Sequence, residues 1–263
     1  MRVESWSESH VGLVRKSNED SLGCFSEALF VVADGMGGHS AGEVASRLAV
    51  EAIRDALPSQ GLGRTSQWLS RLPKLLRPTR SDRVTRTEAA LRGALEMANR
   101  RIVETAQQDP HMPPERSMGS TAVALLMGLQ EQRAYWAHVG DSRLYRLREG
   151  SLRLLTADHT VFGARYRDGK DIPLDLPHTN VLEQALGPQE QVEVRVASDH
   201  LNANDCFLLC SDGVSGLLDG HFMEQLLARS ATLAEASKQL IQAVLDAGAK
   251  DNASLILVRV LSD

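Results

Sequence analysis

The stretch LFVVADGMGGHSAGE, Leu29 to Glu43, runs five apolar residues into Asp34 and then places three glycines within four positions ahead of a helix start. An apolar run bounded by turn residues reads as a buried strand. Ser40 with Glu43 three residues on is a capping-box pattern, and Val44, Leu48, Ile53 and Leu57 then share one helical face up to Pro58. Between strand and helix sits a carboxylate, which next to a core is costly unless it is paired or bound to a cation.

The same juncture recurs along the chain. HVGDSR places Asp141, LLCSDG places Asp212 and AKDNAS places Asp251 where buried strands end or begin. Taken singly, each is as readily a turn former as a ligand, because Asp-Gly is a common turn dipeptide. Taken together, and with SNED adding Glu19 and Asp20, they favour a clustered oxygen-rich site. Carboxylates, backbone carbonyls and water suit Mg²⁺ or Mn²⁺, whereas zinc asks for His or Cys spacing that is not found here. Gly35, lacking a side chain, would let its own carbonyl approach a cation. GMGGHS is no phosphate-binding P-loop, since it lacks the lysine that loop requires.

Composition sets the outer limits. The chain has 263 residues, 43% of them hydrophobic, enough to bury the core of one large domain spanning 1–263. A net charge of −5 provides no field to recruit nucleic acid or an anionic membrane. Aromatics at 4% give little support to base stacking. Neither an export signal nor a membrane-spanning run is read, so a cytoplasmic protein is expected. Cys24, Cys206 and Cys210 are too few and too oddly numbered for a disulfide framework, and Cys206 and Cys210, on one face of an expected strand, read as buried thiols of a reducing compartment.

Further along, strands over Leu22–Phe25 and Leu29–Ala33 precede the first helix, and a second helix is expected from about Glu88 to Gln107. Ser120 to Thr156 reads as an antiparallel meander, with REG as a hairpin turn. Trp136, Tyr135 and His138 alternate on one of its strands as core residues. Ala157 to Thr179 reads as an irregular surface flap, and Thr232 with Glu235 opens a last helix that Gly248 stops. Gly61 to Arg86 is strongly basic, with Asp82 as its one acid, and reads as a loop insertion. Runs of strands with segregated helices indicate an α+β layered domain.

The motifs GLVRKSNED, VVADGMGGHSAGE, MGSTAV, HVGDSRLYRL, LTADHT, LEQALG, LLCSDGVSGLL and DNAS stand in the order seen in the metal-dependent type 2C serine/threonine protein phosphatases, and the chain resembles their compact bacterial form from Gly12 to Val260. The resemblance implies a four-layer α-β-β-α sandwich of two mainly antiparallel sheets flanked by helices. It implies hydrolysis of phosphoserine and phosphothreonine in proteins with two Mn²⁺ or Mg²⁺ ions and room for a third. Asp34 is similar to the ligand that bridges two metals, Gly35 offers its carbonyl, and Asp212 and Asp251 resemble direct ligands of the first. Asp20, with Glu19, would act through coordinated waters, and Asp141 with Asp212 would hold the third ion. Arg15 matches the arginine that grips the substrate phosphate; the plain alternative is a surface arginine beside acidic residues.

The physical chemistry agrees. Two divalent ions about 3.5–4 Å apart lower the pKa of a bridging water and steady an in-line displacement, and a planar guanidinium can take two phosphoryl oxygens at once. Two departures stand out. Met36 occupies the position where some members carry a histidine that protonates the leaving oxygen, which leaves His39 as the candidate catalytic acid or the orienter of a metal-bound water, and His159 as a turn residue. The flap, about 158–180, differs from the usual family version, so substrate preference is expected to reside there. Implied partners are phosphorylated proteins and a cognate eukaryotic-like Ser/Thr kinase, with type VI secretion control as one setting, and the enzyme is expected to be a monomer. The rival is a catalytically silent pseudophosphatase acting as a binding or sensor module.

Overall fold

The computed structural model describes residues 1–26, 28–37, 40–57, 79–108, 118–179 and 181–262. Among these residues eleven strands form two antiparallel sheets. One contains β1 (Arg2–His10), β7 (Arg143–Arg148), β8 (Ser151–Leu154), β10 (Cys206–Cys210) and β11 (Ala253–Leu261), in the order β1-β11-β10-β7-β8. The other contains β2 (Asp20–Phe25), β3 (Leu29–Met36), β5 (Ala122–Gly128), β6 (Arg133–Val139) and β9 (Arg195–His200), in the order β2-β3-β5-β6-β9, with the short β4 (Gly119–Ser120) paired to the end of β3.

The central strands of both sheets are buried on both faces, and period-two alternation assigns each side chain to a layer. In β3, Phe30 and Val32 point into a central core shared with Phe207, Leu209, Ile256 and Val258 of the facing sheet. Leu29, Val31 and Ala33 point the other way, beneath α1 (Ser40–Ala56) and α2 (Arg80–Gln108). On the opposite side, Leu208, Leu255 and Leu257 pack under α4 (Gly220–Arg229) and α5 (Leu233–Asp246). A single turn of helix, α3 (Asp212–Ser215), follows β10 directly. The four-layer α-β-β-α sandwich is therefore present. Among the described residues no helix is long and apolar enough to cross a membrane.

Local expectations hold for β3, β10 and β11, and for α5, where the Thr232 side chain accepts from the Glu235 N–H and Gly248 ends the helix at φ +100°. The side chain of Ser40 lies outside the described residues, although α1 begins there. Cys206 and Cys210 are buried in the layer beneath α4 and α5, and burial pushes their thiols up to about 11 and about 12.

Three expectations need correction. The stretch 120–156 is not one meander: β5 and β6 pair in one sheet, then Gly140 turns at φ +96° and β7 and β8 continue in the other. Alternation cannot reveal this crossing, because strands buried on both faces look alike in either sheet. The second helix starts at Arg80, not Glu88, so the end of the basic stretch is helical rather than loop. Its start is a reciprocal box in which the Thr79 N–H donates to Asp82 Oδ2 at 2.9 Å and the Asp82 N–H donates to Thr79 Oγ1 at 3.1 Å. The rest of the insertion, 61–78, lies outside the described residues.

The flap is the third correction. It is irregular apart from a 3-10 turn at Gly163–Tyr166, but its base is not on the surface. Asp158, His159 and Thr160 are buried, and Ile172 and Leu176 join the core beneath α4 and α5. Arg143, 2% exposed, explains why: its Nη2 donates to Asp158 Oδ2 at 2.8 Å and to the Leu176 carbonyl at 2.6 Å, tying both legs of the flap to the start of β7.

Candidate metal centre

Antiparallel pairing brings alternate strand starts and ends to one edge, and that is how the separated carboxylates meet. Asp20 opens β2 and is the register partner of Asp34 near the end of β3. Asp141 lies on the crossing between the sheets, Asp212 opens α3 at the end of β10, and Asp251 precedes β11. Arg15, Asp34, Asp141, Asp212 and Asp251 all line one cavity of about 400 Å³, together with Glu19. The structure thus gathers Arg15, Asp34, Gly35, Asp141, Asp212 and Asp251, with Asp20 directly behind Asp34.

The charge in this cavity is poorly balanced. Burial raises the Asp34 carboxyl well above its usual range, and Asp20, Asp212 and Asp141 raise it further. Burial pushes Asp141 up to about 8, with Asp212 and Asp158 adding to it. Asp20 is pushed to about 6 by burial despite hydrogen bonds from Ser254 and Ser211, and Asp212 is raised by burial and by Asp251. Arg15 Nη2, 2.7 Å from Asp251 Oδ2, supplies the guanidinium at the wall. Asp20 Oδ1 is buried without a hydrogen-bond partner.

An unsatisfied carboxylate oxygen beside three others held above their normal range is the signature of a site that takes a cation. The all-oxygen donor set suits a hard divalent ion. Among the described residues no three His, Cys, Asp or Glu side chains already close around one point, so a complete shell needs the Gly35 carbonyl and water as well.

Glycine at 35 has a reason beyond carbonyl access. A Cβ there would stand 2.1 Å from the Gly42 carbonyl oxygen and 2.6 Å from that of Glu19, so the first turn of α1 can pack against β3 only without one.

Behind the carboxylates lies a layer of small polar groups. Thr121 Oγ1 accepts from the Asp34 N–H at 3.1 Å and is 2.7 Å from Ser142 Oγ, linking Asp34 to the Asp141 crossing. Ser211 Oγ donates to Asp20 Oδ2 at 2.9 Å. Asn252 fastens the loop that carries Arg15: its Oδ1 accepts from the Glu19 N–H at 2.8 Å, and its Nδ2 donates to the Val11 and Ser17 carbonyls, both at 2.9 Å. Sequence reasoning missed Thr121 and Asn252, although both lie inside quoted motifs, because nothing in a sequence shows which backbone groups an amide or hydroxyl will meet.

Asn252→Ala removes these three side-chain bonds at a buried position, and a cost of about 2–3 kcal/mol in chemical denaturation is expected. Amide exchange should accelerate specifically over residues 11–19. Unchanged exchange there would show that the loop is held by something else.

No imidazole lines the cavity among its described residues; Met36 does, and its thioether carries no proton to give. His39 lies outside the described residues. His159 is buried in the flap base, where its Nδ1 accepts from the Gly140 N–H at 3.3 Å and burial drives it down to about 2, so its part is structural.

Comparison with known proteins bears on the family. The Protein phosphatase 2C family profile matches residues 15–257. The serine/threonine phosphatase stp of Listeria monocytogenes is 33% identical over 94% of this chain and 92% of its own length. PppA, described as a key regulatory component of T6SS in Pseudomonas aeruginosa, superposes with a TM-score of 0.76 at 34% identity, covering 98% of both chains. The catalytic domain of the serine threonine protein phosphatase PstP, solved in complex with 2 manganese ions, superposes with a TM-score of 0.77 at 30% identity, covering 99% of both chains. A profile that spans nearly the whole chain, relatives matched end to end and a shared sandwich lead to one conclusion: this chain belongs to the protein phosphatase 2C family.

Proposed function

We propose that the chain is a serine/threonine protein phosphatase that hydrolyses phosphoserine and phosphothreonine with the help of two Mn²⁺ or Mg²⁺ ions, the whole of 1–263 acting as one catalytic domain. The observation that carries this reading is the convergence of Asp34, Asp141, Asp212 and Asp251 on one cavity, with Asp20 paired beside Asp34 and, among the described residues, one guanidinium at the wall. Asp34, Asp212, Asp251 and the Gly35 carbonyl would hold the two metal ions, Asp20 would act through water, and Asp141 with Asp212 would serve a third, weaker ion. Divalent ions bound here acidify water and neutralise phosphoryl charge.

The chain's own residues do the rest. The hydrogen bond from Arg15 Nη2 to Asp251 leaves the other guanidinium donors on the cavity wall for phosphoryl oxygens. Leu182 and Met36, also on the wall, restrict water around the ester. The manganese-bound relative supports the metal choice, and the likeness to PppA supports a role in type VI secretion control; the partner proposed with it is a cognate eukaryotic-like Ser/Thr kinase. The proposed enzyme is a cytoplasmic monomer.

The test is release of phosphate from p-nitrophenyl phosphate and from a phosphothreonine peptide. Excess EDTA should abolish turnover and added Mn²⁺ or Mg²⁺ should restore it. Folded protein that releases nothing with any divalent metal would overturn the reading.

A further inference from the structure

The rim of the cleft is apolar, unlike its interior. Of the large hydrophobic side chains exposed among the described residues, the four most exposed are Val181 (71%), Val14 (67%), Leu13 (63%) and Val161 (62%). Leu13, Val14 and Val181 stand within two residues of the cavity wall in the chain, and the Val161 segment is tied to the last of them through the backbone. Leu13 and Val14 immediately precede Arg15, and the Leu13 N–H donates to the Ala249 carbonyl at 2.8 Å, which fixes the pair beside the Asp251 turn. Val181 immediately precedes Leu182 of the cavity wall. The Glu183 N–H donates to the His159 carbonyl at 2.7 Å and so ties the Val181 segment to the one that carries Val161. The result is two apolar lips, one on the Arg15 loop and one on the flap, with the acidic cavity between them.

A single exposed Leu or Val is ordinary on a protein surface. Concentration of the four most exposed ones at one opening is not, and it marks a surface that is covered in use. We propose that the lips bind the residues that flank the phosphorylated side chain of a polypeptide substrate, so that phosphosites with aliphatic neighbours are preferred over those with polar or acidic ones. This rests on the phosphatase reading and gives it a substrate preference. A phosphorylated side chain that reaches the cavity carries its backbone across the mouth, and an extended segment advances about 3.3 Å per residue, which delivers the neighbouring side chains to either lip. An acidic neighbour would instead set its charge against an apolar lip, where it loses water and gains no partner. A second copy of the chain fits less well, since apolar lips parted by an acidic cavity do not form the contiguous patch that self-association uses.

The test uses the Mn²⁺-loaded protein and phosphothreonine peptides of equal length with Leu and Val, Ser, or Glu on both sides of the phosphoresidue, with p-nitrophenyl phosphate as reference. The aliphatic peptide should exceed the serine peptide by about tenfold in kcat/KM, and the glutamate peptide should be poorest. Val181→Ser combined with Leu13→Ser and Val14→Ser should bring the aliphatic-to-serine ratio to within about twofold of unity and leave p-nitrophenyl phosphate turnover unchanged. Equal rates for all peptides with wild-type protein, or a preference that survives in the triple variant, would overturn the proposal. So would a triple variant that changes only the sedimenting mass, since that assigns the lips to a second copy. If wild-type protein turned over no ester at all, the phosphatase reading would fail instead, and calorimetric titration with the same peptides would still decide the flank preference.

Discussion

Asp34→Asn is expected to lower kcat/KM on p-nitrophenyl phosphate by roughly 10³-fold or more without loss of the fold, with Asp212→Ala close behind. Most buried-residue changes that abolish activity also destabilise, and here the signs should part. Asp34 is the carboxyl that burial and three neighbouring carboxylates raise most clearly, so in metal-free protein its charge is a burden and the amide removes it. Thermal unfolding in EDTA should therefore place the variant level with the wild type or above it. Adding Mn²⁺ should reverse the order, because an ion at 100 times its Kd stabilises its binder by about 2.7 kcal/mol and the variant would lose that gain. A variant that kept full turnover, or gained the same Mn²⁺ stabilisation, would remove Asp34 from the centre.

Arg143→Met carries the second large effect, and on stability first. The guanidinium and Asp158 are 2% and 1% exposed, so removing one partner strands a charge where water cannot reach it. Such a change costs about 3–5 kcal/mol, which for a chain of this size is a fall of about 10 °C in Tm. The Leu176 carbonyl loses its donor too, so both legs of the flap are released together. Adding Asp158→Leu to Arg143→Met should recover much of the loss, because a buried pair replaced by apolar groups is close to neutral while half a pair is not. If the double variant were as unstable as the single, packing rather than stranded charge would be the cause.

Much of this was legible in the residues themselves, and the reasons are specific. LFVVA, CFLLC and SLILV are long enough and apolar enough to be buried strands in any arrangement. Thr232 with Glu235 and Gly248 marked α5 because caps act within a few residues, where sequence spacing is spatial distance. The start of α2 went unread although Thr79 and Asp82 form the same kind of box, since seven basic residues nearby looked like a solvated loop. The buried base of the flap was hidden for another reason. Arg143 and Leu176 lie far apart in the chain, and a polar, proline-containing segment gives no sign that one arginine will draw it inward.

The sequence by itself determined the elements, the family resemblance and the residue types at each strand end, because these rest on local periodicity, capping and the cost of a carboxylate beside a core. Only the tertiary structure decided that the chain changes sheets at Gly140, that Asn252 holds the Arg15 loop, and that Asp34, Asp141, Asp212 and Asp251 face one cavity with Asp20 paired beside Asp34. The reason is geometric. Antiparallel strands return the chain to the same edge every second crossing, so groups more than a hundred residues apart meet there, and their mutual repulsion exists only once they do.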